Sequence, residues 1–151
     1  MIGQQQKDQA EKWFKDLRDK ICEEFEILEE DHLKLAPKSD VAAKKFERKS
    51  TIRETDDKED GGGGVMATLK GGRIFEKVGV NVSAVYGKLA PEAQKSITAR
   101  KAIPELKDDP RFWASGISLV AHMRNPHTPA IHLNTRMFWL SLIHISEPTR
   151  R

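Results

Sequence analysis

Between Gly116 and Phe138 the chain reads GISLVAHMRNPHTPAIHLNTRMF, and its polar side chains keep to one parity. Ile131, Leu133, Thr135 and Met137 alternate with His132, Asn134, Arg136 and Phe138. Successive residues of a strand point to opposite faces, so a strand here lines up an imidazole, an amide and a guanidinium on one side. Such a row can donate a proton, orient a bound group and hold an anion. Upstream, Ser118 and His122 share one parity while Ile117, Leu119 and Ala121 take the other. If the two strands pair as a hairpin across Met123 to Ala130, both polar rows converge.

The rest of the chain must build a sheet to carry that hairpin. Trp13, Phe14, Leu17, Ile21, Phe25 and Leu28 recur at three- and four-residue intervals among charged residues, the stripe of an amphipathic helix. Ala36 to Asp60 has few apolar anchors and reads as a loop with a short element around Val41 to Phe46. The glycines from Gly61 to Gly64 run into Val65 to Leu69, which suits a close backbone approach to another element or a ligand better than a free linker. They lack the Lys-Ser/Thr of a phosphate loop and the spaced glycines of a dinucleotide fold, which argues against a nucleotide site. Gly71-Gly72 suits a two-residue hairpin turn between Val65 to Lys70 and Arg73 to Val78. Val80, Val82 and Ala84 then alternate with Asn81, Ser83 and Val85 in a strand entered through a bulge at Gly79. Pro91 suits the first turn of a helix reaching Arg100, and Pro104 and Pro110 break the connection before Gly116. The expected fold class is α+β: an antiparallel sheet from Val65 to Val85 and Ile117 to Phe138, flanked by helices at Trp13 to Leu28 and Pro91 to Arg100.

Composition narrows the function. At 151 residues and 38% apolar, the chain has one domain's worth of length and a modest core. Its 26 basic and 23 acidic residues leave a net charge of only +3 with no basic stripe, which gives little support to nucleic-acid binding despite a pI near 9.0. The lone Cys22 sits among apolar helix positions and reads as a buried thiol. No window approaches the ~20 apolar residues of a membrane span, and the N-terminus lacks a secretory pattern. These features read as a soluble, cytoplasmic protein.

Taken by residue type alone, His132 is the candidate for acid-base work, beside the plainer reading of a hydrogen-bonded core histidine. Arg136 offers a forked donor set for a carboxylate, against an ordinary exposed strand arginine. Ser118 is a candidate contact or a plain strand serine. His122 and His132 are two candidate metal ligands, but two histidines ten residues apart do not identify a metal. Glu76, beside Lys77, reads as a solvated or ion-paired residue rather than a catalytic one. A non-catalytic anion-binding interaction module and a metal-dependent hydrolase stand as rival readings.

Several blocks occurring in order add a resemblance. Gly61 to Gly64, GGRIFEKVGVNVSAVYG at Gly71 to Gly87, DPRFWASGIS at Asp109 to Ser118, and the HxNxR of His132, Asn134 and Arg136 resemble the oxygen-dependent coproporphyrinogen III oxidase family, from roughly Trp13 to Phe138. Thr51 and Ile52 stand near the place where that family has an aromatic residue. The resemblance implies an enzyme of haem biosynthesis that oxidatively decarboxylates two propionates of coproporphyrinogen III to vinyls, giving protoporphyrinogen IX. It implies molecular oxygen as co-substrate, no organic cofactor, and a homodimer in the complete protein. His132 matches the family's proton donor; Ser118, Asn134 and Arg136 match substrate contacts. The bacterial members' divalent-metal site matches His122 and His132. Because the family's pattern continues well past this strand, 1–139 reads as a partial oxidase domain, inactive alone.

Leu140 to Arg150, LSLIHISEPTR, departs from that pattern and resembles a translated sequencing-library adapter, so 140–151 reads as a non-native tail. The alternative is a short apolar strand with a polar end. If the tail is foreign, removing Ser141 to Arg151 leaves the thermal transition of the chain unmoved. Loss of cooperative melting on that deletion would mark the segment as packed.

Overall fold

The computed structural model describes residues 2–55, 58–100, 106 and 109–140. Helix α1 spans Ile2–Leu35, followed by strands β1 (Glu47–Glu54), β2 (Asp60–Lys70) and β3 (Phe75–Lys88). Helix α2 (Pro91–Arg100) then leads to β4 (Arg111–Met123) and β5 (Ile131–Leu140). The five strands form one antiparallel sheet in the order β1-β2-β3-β4-β5, a meander, confirming the expected α+β class.

Strand parity gives the sheet two unlike faces. Ala67, Leu69, Val78, Val80, Val82, Ile117, Leu119 and Ala121 share one face and form the core with Phe14 and Cys22 of α1. Each Val, Leu and Ile side chain of this set removed from water contributes about 1.5–3 kcal/mol, which is what holds the helix down. Phe25 of α1 stacks on Phe75, ring centroids 4.5 Å apart. Cys22 is buried as expected, and that burial pushes its thiol up to about 11. The inward stripe of α1 differs from the expected one at its ends: Trp13 and Leu28 are exposed, while Arg18 and Glu29 are buried.

Glu29 explains why a charge lies inside. Its carboxylate accepts the backbone N–H groups of Arg73 (2.6 Å), Ile74 (2.8 Å), Phe75 (3.0 Å) and Lys44 (3.3 Å). Arg73, buried in turn, donates to His32 Nδ1 at 3.2 Å and to the carbonyls of Ala36 and Val41. Gly72 completes the fit, because a Cβ there would lie 2.5 Å from Glu29 Oε1. Residues 71–74 therefore form a four-residue connection rather than the two-residue turn expected at Gly71-Gly72, with Gly71 at φ 63°.

Three further expectations are corrected, and the reading of the tail from Leu140 stays open. The loop after α1 yields no element at 41–46; the strand is β1, and every one of its residues is exposed, as suits a charged edge strand. The bulge lies between Phe75 and Lys77, and the register runs unbroken through Gly79. Helix α2 has the expected bounds, but its described side chains all remain at least partly exposed, so α1 alone closes the core. Leu140 is the buried last residue of β5 opposite Phe112, and 141–151, the rest of the tail expected to be non-native, lie outside the described residues.

Burial opposes ionisation of Glu29, but the four N–H donors outweigh it and hold the carboxyl below its ordinary 4.5. A carboxyl depressed on folding contributes stability that is complete above that ordinary value and is lost as pH falls through the folded one. Glu29→Gln should cost about 3 kcal/mol at neutral pH by urea denaturation, and the gap to the unaltered chain should shrink in acid. Equal midpoints at neutral pH would refute this role.

Candidate functional site

The face away from α1 carries the polar residues. Register places Asn81, Ser118 and Asn134 side by side on β3, β4 and β5. One step along, Ser83, Gly116 and Arg136 form the next row on this face; one step the other way stand Gly79, Val120 and His132. The expected convergence is therefore geometric fact: Ser118 and His122 of β4 share a face with His132, Asn134 and Arg136 of β5. His132 lies opposite Val120, so His122, two residues further along β4, is its diagonal neighbour.

Local sequence explains why these side chains project outward. Ile117, Leu119 and Ala121 are drawn against α1, which forces the alternate residues of β4 to the other face. At Gly116 a Cβ would lie 2.5 Å from the Thr135 carbonyl oxygen and 3.1 Å from Arg136 Cα. Glycine there lets β4 and β5 approach beside Arg136. An aromatic platform bounds the face, with Phe112 and Phe138 stacked at 5.8 Å and the Arg53 guanidinium 5.8 Å from the Phe112 ring.

His122, His132, Asn134 and Arg136 are exposed and Ser118 half-buried, and among the described residues none makes a side-chain hydrogen bond or ion pair. Other polar residues are committed elsewhere. Glu76 faces Arg124 at 3.5 Å, the ion-paired role expected of it, and His127 is exposed in the β4–β5 loop. The hydrogen-bonding capacity of the HxNxR row is thus unspent by the fold. Together it offers a proton carrier, a neutral amide and a guanidinium suited to a carboxylate.

Metal binding finds a narrower footing. The two imidazoles are diagonal neighbours, but no group of three His, Cys, Asp or Glu side chains able to hold a cation occurs among the described residues. Sequence reading also passed over Asn81 as a site residue; its parity with Val80 and Val82, already visible as an alternation, is the signal that points to this face.

The coproporphyrinogen III oxidase family model matches residues 9–148. The oxygen-dependent coproporphyrinogen-III oxidases of Rickettsia peacockii and Rickettsia felis are each 45% identical over 130 residues, 86% of this chain and 41% of theirs. That of Rickettsia bellii strain RML369-C is 40% identical over 135 residues, 89% of this chain and 43% of its own. The chain spans about two fifths of the length of these curated relatives.

Because the exposed row supports nothing in the fold, His132→Ala, Asn134→Ala and Arg136→Ala should each leave the chain's unfolding free energy within about 0.5 kcal/mol of the unaltered value. A loss of several kcal/mol in urea titration would show that the row is structural instead.

Proposed function

The chain belongs to the coproporphyrinogen III oxidase family, and on that premise we propose that the complete protein carries out the oxygen-dependent conversion of two propionates of coproporphyrinogen III to vinyls, giving protoporphyrinogen IX. One observation carries the reading: an imidazole, an amide, a hydroxyl and a guanidinium share one sheet face with no partner among the described residues. Such a set fits a substrate that brings carboxylates and needs a proton at a defined place.

In each step a propionate loses its carboxylate as carbon dioxide and a hydride equivalent from the carbon next to the ring, leaving the vinyl. Molecular oxygen takes the two electrons and, with the hydride hydrogen and one added proton, becomes hydrogen peroxide. The electron-rich reduced pyrrole activates the carbon that is oxidised, which leaves the protein the work of positioning and protonating. Arg136 pairs with the propionate carboxylate through its fork of N–H donors, Ser118 and Asn134 orient the ring that bears it, and His132 supplies the proton. A divalent cation held by His122 and His132, with ligands from elsewhere in the complete protein, would add positive charge beside a carboxylate. The reaction needs no organic cofactor, and the enzyme acts as a cytoplasmic homodimer.

In the complete oxidase carrying this sequence, His132→Ala should lower kcat by about 10²- to 10⁴-fold with little change in substrate affinity. Arg136→Ala should instead raise KM strongly, because it removes a charge-assisted carboxylate partner. Unchanged turnover in the first variant and unchanged affinity in the second would reject these roles; ester or phosphate hydrolysis dependent on added metal would favour a hydrolase.

A further inference from the structure

Glycine in the middle of a strand weakens it relative to alanine, and it ordinarily marks a bulge, a bend or a close approach. At Gly64 and Gly116 the close approach is plain, since a Cβ would collide with the Val82 and Thr135 carbonyl oxygens respectively. Gly79 stands on the same face with none of these reasons. Its pairings to Thr68 and Val120 are in unbroken register, it is not among the positive-φ glycines, and a Cβ there meets nothing within 4 Å. The fold would accept a side chain at this position.

Two residues further along β3, and on the same face, is Asn81. Its Oδ1 is shielded from solvent and has no hydrogen-bond partner among the described residues. Leaving such an acceptor unsatisfied costs stability, a cost that a donor arriving from outside the fold can remove. The terminal torsion of asparagine is broad and roughly two-fold, so a turn of the amide presents this oxygen to the open face without moving the backbone. Asn81 is directly beside Ser118, and Gly79 lies in the row that ends at His132.

We infer that Gly79 and Asn81 form the β3 part of the substrate site: the open space over Gly79 receives one reduced pyrrole ring, and Asn81 Oδ1 accepts that ring's N–H. The inference rests on the proposed reaction and extends it to a strand outside the HxNxR hairpin. A reduced tetrapyrrole carries N–H donors as well as carboxylates. Arg136 meets the second kind of group, and Asn81 is an unpartnered acceptor for the first. A side chain at Gly79 would fill the space that the ring needs while improving the strand, because β-branched residues suit a pleated surface better than glycine.

The test uses the complete oxidase carrying this sequence, with Gly79→Val, Asn81→Leu and Asn81→Asp. Gly79→Val should melt at or above the unaltered temperature and raise KM for coproporphyrinogen III about tenfold or more. Asn81→Leu should raise KM to a similar degree, whereas Asn81→Asp, which keeps an acceptor at the same place, should restore most of the affinity. Anaerobic titration with coproporphyrinogen III, followed by tryptophan fluorescence, reads the same losses without turnover. If the unaltered protein binds coproporphyrinogen but does not oxidise it, the proposed reaction fails while this binding test still decides the inference. A lowered melting temperature in Gly79→Val would show that protein, not substrate, occupies the space. Wild-type binding by both Gly79→Val and Asn81→Leu, or an Asn81→Asp as poor as Asn81→Leu, would overturn the inference.

Discussion

The carboxylate of Glu29 is the fixed point on which the arrangement of helix and sheet depends. A charge taken out of water must recover its lost hydration, and here four backbone N–H groups do so, three of them from consecutive residues at the end of the β2–β3 connection and the start of β3. The tie runs both ways, because Arg73 from that connection satisfies carbonyls just past the end of α1. It also reaches the strand of the candidate site: Arg124, directly after β4, donates its backbone N–H to Ile74 O and its Nε–H to Gly72 O, both at 2.7 Å. One buried acid thereby sets the seat of α1, the turn between β2 and β3, and the end of β4 next to His122.

With α1 fixed to one face, the division of labour between the faces follows from strand parity. Apolar residues of β2, β3 and β4 are consumed by the helix, and every second residue is left free of packing duty. The free set on β4 and β5 is polar, exposed and, among the described residues, unpaired, so water solvates it at little cost and a ligand can displace that water. The same face also shows Met66, Val120 and Phe138 exposed, and Ile131 and Leu133 are exposed on the other side of β5. A sheet so presented favours association with further protein or with a large, partly apolar ligand.

The parity of the site was legible in the sequence because periodicity reports burial, and β4 is buried on one side only. Ser118 and His122, and the HxNxR row, could be assigned to a common face before any contact was known. Strand β1 gave no such signal: ERKSTIRE is wet on both faces, so nothing in it alternates. Glu29 was hidden for the opposite reason. It stands among Glu23, Glu24, Glu26, Glu30 and Asp31, and what separates it from them is a turn more than forty residues away. Arg73 and the length of the 71–74 connection depend on the same tertiary partner, so they were missed together.

Spacing between the site residues rests on backbone rather than on side-chain contacts. His132 and Arg136 are long or mobile groups without partners, and their rotamers are free; what is held is the point from which each projects. Gly116 sets that point most tightly, since any side chain there would press on Thr135 and Arg136 and push β5 away from β4. Moving β5 would carry Asn134 out of line with Ser118, because the two are direct partners in the ladder. The ordering of these side chains is then left to whatever ligand the face binds, which must supply the contacts that the described residues do not. A face built this way loses side-chain entropy only on binding, so affinity depends on how many groups one ligand can engage at once. A ligand with several carboxylates and N–H donors on one ring system can engage more of them than a simple anion can.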